Sequence, residues 1–152
     1  MGVFRTRGRY RQSTAILIGL ALIAAAVLLT REQGEPAVLA GQASVIDGDT
    51  VRVAGQKVRL QGLAAPELSE GGHAATAALI RIVKGRQVSC ELDGTVTYDR
   101  VVGICYVEGK DVAAELVKRG VARDCERFSG GRYKELETAS GRLLPLPPYC
   151  SP

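Results

Sequence analysis

The stretch VIDGDTVRVAGQKVRLQGLAAPE, residues 45–67, decides the fold. It holds two turn signals, Asp47-Gly48-Asp49 and Ala54-Gly55-Gln56, each set between short runs of alternating character. Asp-Gly between alternating runs is a strong hairpin signal, so three strands of a meander are expected at 42–47, 50–54 and 57–63. In the third run Val58 and Leu60 face one side, and Lys57, Arg59 and Gln61 face the other. Arg59 therefore lies in the middle of a polar face, and Pro66 ends the meander.

Downstream, LSEGG leads into a helical pattern from about His73 to Lys84, with Ser69 or Glu70 available at its start and Gly85 at its end. His73 is the only histidine and has no histidine or cysteine close in sequence, so it reads as a surface residue rather than a metal ligand. QVSCELD (87–93) and VVGICYV (101–107) read as two further strands joined by GTVTYDR. Asp111 is the N-cap of VAAELVKRG, which Gly120 closes. ARDCERFSGG (122–131) reads as a loop, RYKELETASGR (132–142) as a weaker helix, and LPLPPYC (144–150) as a proline-rich tail. Three strands, a helix, two strands and a helix match a five-stranded oligonucleotide/oligosaccharide-binding (OB) barrel with two to three helices.

Upstream, Ala15–Leu29 is an unbroken block of apolar residues and glycine, preceded by Arg5, Arg7, Arg9 and Arg11 and no acid. It is somewhat shorter than the roughly 20 residues that span a bilayer comfortably. No small-residue cleavage site follows closely, so an uncleaved N-terminal apolar helix with the arginines cytoplasmic is expected. The expected organisation is a basic cytoplasmic segment (1–12), an anchor or signal segment (13–30), a linker (31–41), the barrel domain (42–140) and a tail (141–152). The domain would face the periplasm or exterior of a bacterial inner membrane, or be secreted if the block is cleaved.

The net charge of +4 comes from the four arginines before the block, because from Arg31 onward 16 basic residues meet 16 acidic ones. Bulk electrostatic capture of nucleic acid is thus not supported, and any phosphate chemistry would have to be local. Cys90, Cys105, Cys125 and Cys150 all follow the block. An even count in an exported domain reads as two disulfides, while the spacings fit neither a zinc knuckle nor a redox CxxC; counting leaves every connectivity open.

VIDGDTVRV, RLQGLAAPE and YDRVVGICYVEGKDVAAELVKRGVA, taken together and in this order, resemble the staphylococcal nuclease (thermonuclease) family over roughly residues 42–140. The resemblance implies calcium-dependent hydrolysis of DNA and RNA phosphodiesters. It implies that Asp49 and the Ala65 carbonyl ligate calcium, that Arg59 and Arg100 clamp phosphate, and that Glu67 is the base for the attacking water. It also implies that Tyr98 contacts bound nucleotide. Chemistry asks for such a set on its own terms, since phosphoryl transfer needs its developing charge neutralised and its water activated.

Two positions depart from the family pattern. Ala64 stands where the family has its second calcium carboxylate, and Asp47 is the nearby carboxylate that could substitute. Asp99 replaces the glycine before Arg100 and is a candidate partner for that arginine. The family's stacking aromatics after the second helix are not evident, Phe128 being the nearest candidate. A weakened calcium site and low nuclease activity are therefore expected. The alternative is a non-catalytic barrel that binds envelope polysaccharide, nucleic acid or a protein, as a monomer. On this layout Cys90 and Cys105 lie on consecutive strands and are expected to pair, which leaves Cys125 with Cys150.

Overall fold

The computed structural model describes residues 36–151. The basic segment, the apolar block and the start of the linker lie outside the described residues. Among the described residues no helix is long and apolar enough to cross a membrane.

Strands β1 (Val38–Val45), β2 (Thr50–Val53) and β3 (Gln56–Leu60) form the expected meander, followed by a short β4 (Leu63–Ala64). Helix α1 (His73–Val83) precedes the long hairpin of β5 (Gln87–Thr97) and β6 (Arg100–Val107). A short β7 (Lys110–Asp111) then leads into α2 (Val112–Lys118), and β8 (Arg123–Asp124) into α3 (Glu126–Ser129). The main sheet runs β3-β2-β1-β5-β6-β7, and β3 pairs again with β6, in parallel, so five strands close on themselves. This is the OB-like barrel that the strand order implied.

The core follows from periodicity. Val51, Val53, Val58 and Leu60 point inward from β2 and β3. Helix α1 buries Ala75, Ala78, Leu79, Ile82 and Val83, the i, i+3, i+4, i+7, i+8 stripe of an amphipathic helix, and the last four join this core. Helix α2 adds Val112, Leu116 and Val117. Its N-cap is Asp111, whose Oδ1 accepts the Ala114 amide at 3.1 Å while Oδ2 accepts the Tyr133 hydroxyl at 3.0 Å. Cys90 and Cys105 face each other in register across β5 and β6 and are bonded. The second disulfide joins Cys125 to Cys150, so both expected pairings hold.

Several expectations need correction. Strand β1 begins at Val38, inside the segment read as linker to residue 41, because Val38–Gln42 pair with Gln87–Glu91 of β5. Helix α1 is capped by Gly72 and not by Ser69 or Glu70, since a 3-10 turn over Leu68–Glu70 holds those residues. The segment 122–131 is no plain loop: Arg123 and Asp124 pair with Ala64 and Leu63. The helix expected at 132–142 is reduced to isolated 3-10 turns at Lys134–Leu136 and Gly141–Leu143. Tyr133 is drawn into the core, and Glu137 turns inward to accept the Asp124 amide at 3.0 Å and Arg123 Nε at 3.3 Å. These tertiary demands override the local helical pattern.

Candidate functional site

The DGDT turn is fixed from both ends. The Asp47 carboxylate accepts the Asp49 amide at 3.1 Å, an Asx-type turn, and the Leu60 amide donates to the Asp49 carbonyl at 2.8 Å. Gly48 lies against the first turn of α1, where a Cβ would come within 2.7 Å of the Ala75 Cβ. Only glycine lets the turn approach the helix so closely, and this seats Asp49, 6% exposed, beneath the barrel rim.

Arg59 reaches Asp49 from β3 at 2.7 Å. Arg100, the first residue of β6, approaches the other carboxylate oxygen at 3.9 Å and donates to the Thr50 hydroxyl at 3.2 Å. The Thr50 hydroxyl in turn donates to Asp49 at 2.8 Å. The parallel pairing of β3 with β6 explains this convergence, since it sets Arg59 beside Val102, two residues from Arg100. Thr50 was not expected in the site. Its signal was its place next to Asp49 on a strand that starts at the turn.

A cavity of about 360 Å³ opens at this cluster. Asp49, Arg59, Ala64, Ala65 and Glu67 line one part of it, and Glu70 adjoins them. The Glu67 backbone is held by the amides of Glu70 and Gly72, which donate to its carbonyl at 2.8 and 2.9 Å. The rest of the lining is Pro145–Tyr149 of the tail, which sequence reading had left without a role. The connection is traceable: β8 pairs with β4, Cys125 follows β8, and Cys125 is bonded to Cys150.

Tyr98 does not join the cavity. It is 92% exposed at the tip of the β5–β6 hairpin, with φ 57°. Asp99 does not draw Arg100 away, because it pairs with Lys57 on β3. Phe128 packs near Tyr149, their ring centroids 6.5 Å apart.

Burial pushes the Asp49 carboxyl up to about 6 from its ordinary 3.8, against the lowering effect of Arg59 and of the Thr50 hydroxyl; the charge of Asp47 adds to the rise. The native protein thus binds this proton more tightly than the unfolded chain. The associated stability is full below about 3.8 and is lost as pH rises through about 6. Wild type minus Asp49→Asn should accordingly lose up to about 3 kcal/mol of unfolding free energy between pH 4 and pH 7. Urea titrations of both forms measure this difference, and a flat one would show that Asp49 is ionised throughout.

The residues present do not fit a calcium ion. Calcium takes about six to eight oxygen ligands, several of them carboxylate. Here the Asp49 carboxylate is engaged by two guanidinium groups and a hydroxyl, Asp47 serves its own turn, and Ala64 offers no side-chain oxygen. Among the described residues no three His, Cys, Asp or Glu gather as a metal site would require. The arrangement suits an anion better, with two permanent positive charges facing one carboxylate of raised pKa.

Comparison with known proteins agrees with the barrel and the motifs. Residues 57–141, more than half of the chain, match the family described as staphylococcal nuclease homologue. The chain is also 37% identical over 124 residues to the succinoglycan biosynthesis protein ExoI of Rhizobium meliloti (strain 1021), covering 73% of this chain and 65% of that protein. It thus spans just under two thirds of that relative's length. With the closed barrel, the paired arginines and this match in hand, the chain belongs to the staphylococcal nuclease homologue family.

Proposed function

We propose that this chain is a membrane-anchored, outward-facing member of the family that binds phosphodiesters at a pocket lined by Arg59, with Arg100 reaching the same Asp49 from beside it, and hydrolyses them slowly. The observation that carries the reading is the meeting of both guanidinium groups at Asp49, beside a cavity that Glu67 lines. Guanidinium groups bind phosphate oxygens through paired, charge-assisted hydrogen bonds. As charge builds on those oxygens, Arg59 and Arg100 stabilise it, while Thr50 and Asp49 keep the two side chains oriented. Glu67 accepts the proton of the attacking water. Calcium supplies further charge in the family, and its lack of fit here is the reason for a slow rate.

The test is Ala64→Asp in the full-length, oxidised chain. The added carboxylate would project into the same cavity and complete a cation-binding pair with Asp49. Calcium affinity by calorimetry should become measurable, and turnover of single-stranded DNA should rise at least about tenfold, as expected for a metal worth several kcal/mol of charge stabilisation. Wild-type turnover should be slow and change little with chelator. No turnover by either form would favour a second reading, a non-catalytic binding module of the cell envelope. The name of the relative ExoI, a succinoglycan biosynthesis protein, supports that alternative.

A further inference from the structure

Part of the pocket is built by chain that the family match does not include. The match ends at residue 141, whereas Pro145, Leu146, Pro147, Pro148 and Tyr149 follow it and line the cavity together with Arg59. This segment is fixed at its end by the Cys125–Cys150 disulfide, whose sulfurs are buried while Tyr149 remains 51% exposed. Three prolines and a disulfide leave the segment little freedom to lose, so an aromatic ring presented from it is preorganised for a ligand.

The neighbourhood of Tyr149 fits a ring. Phe128, 54% exposed, lies tilted by 55° to it, and the Arg127 guanidinium sits 5.8 Å from the Phe128 centroid. Tyr149 is the member of this trio that lines the cavity. At about 360 Å³ the space is at the lower end of ligand pockets and has room for one ring beside a phosphate, not for a stacked series. Glu67 and Glu70 supply hydrogen-bond acceptors on the same lining. Carboxylate oxygens accept hydrogen bonds, so they suit a ring with hydroxyl donors around its edge. A pyranose has such an edge and offers C–H faces to tyrosine and proline; a nucleobase presents few donors.

We propose that Tyr149, with Pro147 and Pro148, forms a ring subsite for a pyranose that carries the phosphate held by Arg59, which makes the substrate class a glycosyl phosphate ester. This rests on the phosphate-pocket reading above and adds its specificity.

The experiment is calorimetry on the full-length, oxidised chain in mild detergent, with inorganic phosphate, a hexose 1-phosphate and thymidine 5′-monophosphate as probes. The hexose phosphate should bind roughly tenfold more tightly than inorganic phosphate, the margin of a good aromatic contact. Tyr149→Ala should remove that margin and Tyr149→Phe keep it, with affinity for inorganic phosphate the same in all three proteins. Equal affinity for the hexose phosphate and inorganic phosphate, a nucleotide that binds more tightly than the hexose phosphate, or a margin that survives Tyr149→Ala would overturn the subsite and leave the phosphate pocket standing. Failure of inorganic phosphate itself to bind would overturn both.

Discussion

Arg59→Ala should reduce affinity for a single-stranded oligonucleotide by about 30-fold or more, because truncating one partner of a hydrogen-bonded charge site costs roughly 2 to 5 kcal/mol. From Arg31 onward the chain is formally neutral, so there is no diffuse positive field to hold the ligand once the clamp is gone. Stability should fall as well. Asp49 would keep only Arg100 at 3.9 Å and the Thr50 hydroxyl, leaving a buried carboxylate short of charge. Removing one member of such a pair costs about 3 to 5 kcal/mol, and here protonation of Asp49 limits the loss. The destabilisation should therefore be larger at pH 7.5 than at pH 5. Arg59→Lys should recover the charge but not the paired geometry, and so restore only part of the affinity. Filter binding and urea titration measure the two effects. Binding within threefold of wild type for Arg59→Ala would place the ligand elsewhere on the barrel.

The second large effect is expected from Cys125→Ser combined with Cys150→Ser. The bridge closes a loop with a sequence separation of 25, and a loop of that size is worth roughly 3 kcal/mol in the chain-entropy view. For a folded unit of this length the melting temperature should drop on the order of 10 °C. The functional loss has a separate cause. Pro145–Tyr149 would no longer be held at the cavity, so affinity for ligands that use this wall should fall while binding of inorganic phosphate to the two arginines persists. Unchanged melting after the double substitution would mean that tail packing alone retains the segment.

Much of this was legible in the residues. Alternation along Lys57–Gln61 placed Arg59 outside the core, and the observed burial follows it, with Val58 and Leu60 inside. The α1 stripe and the Asp111 cap were equally direct, because helical spacing and an N-cap are local physics. What stayed hidden depended on distant partners. Nothing near residue 133 announces that its tyrosine will enter the core and break a helical pattern, since the reason is Asp111, 22 residues earlier. Asp99 looked like the natural partner of the adjacent Arg100, yet pairs with Lys57 across a parallel seam that no local pattern encodes. The tail's place at the cavity needed two facts at once, the β4–β8 pairing and the second disulfide.

That parallel seam between β3 and β6 has a further consequence. It is the last join of the cylinder, and the two guanidinium groups stand on either side of it. Neither hairpin alone owns the arginine pair: a fragment ending at β3 would hold Asp49 and Arg59 without the second clamp. An anion held by both guanidinium groups would bridge the join as a rivet does, so occupancy would tighten the closure of the barrel, and amide exchange along this seam would slow first.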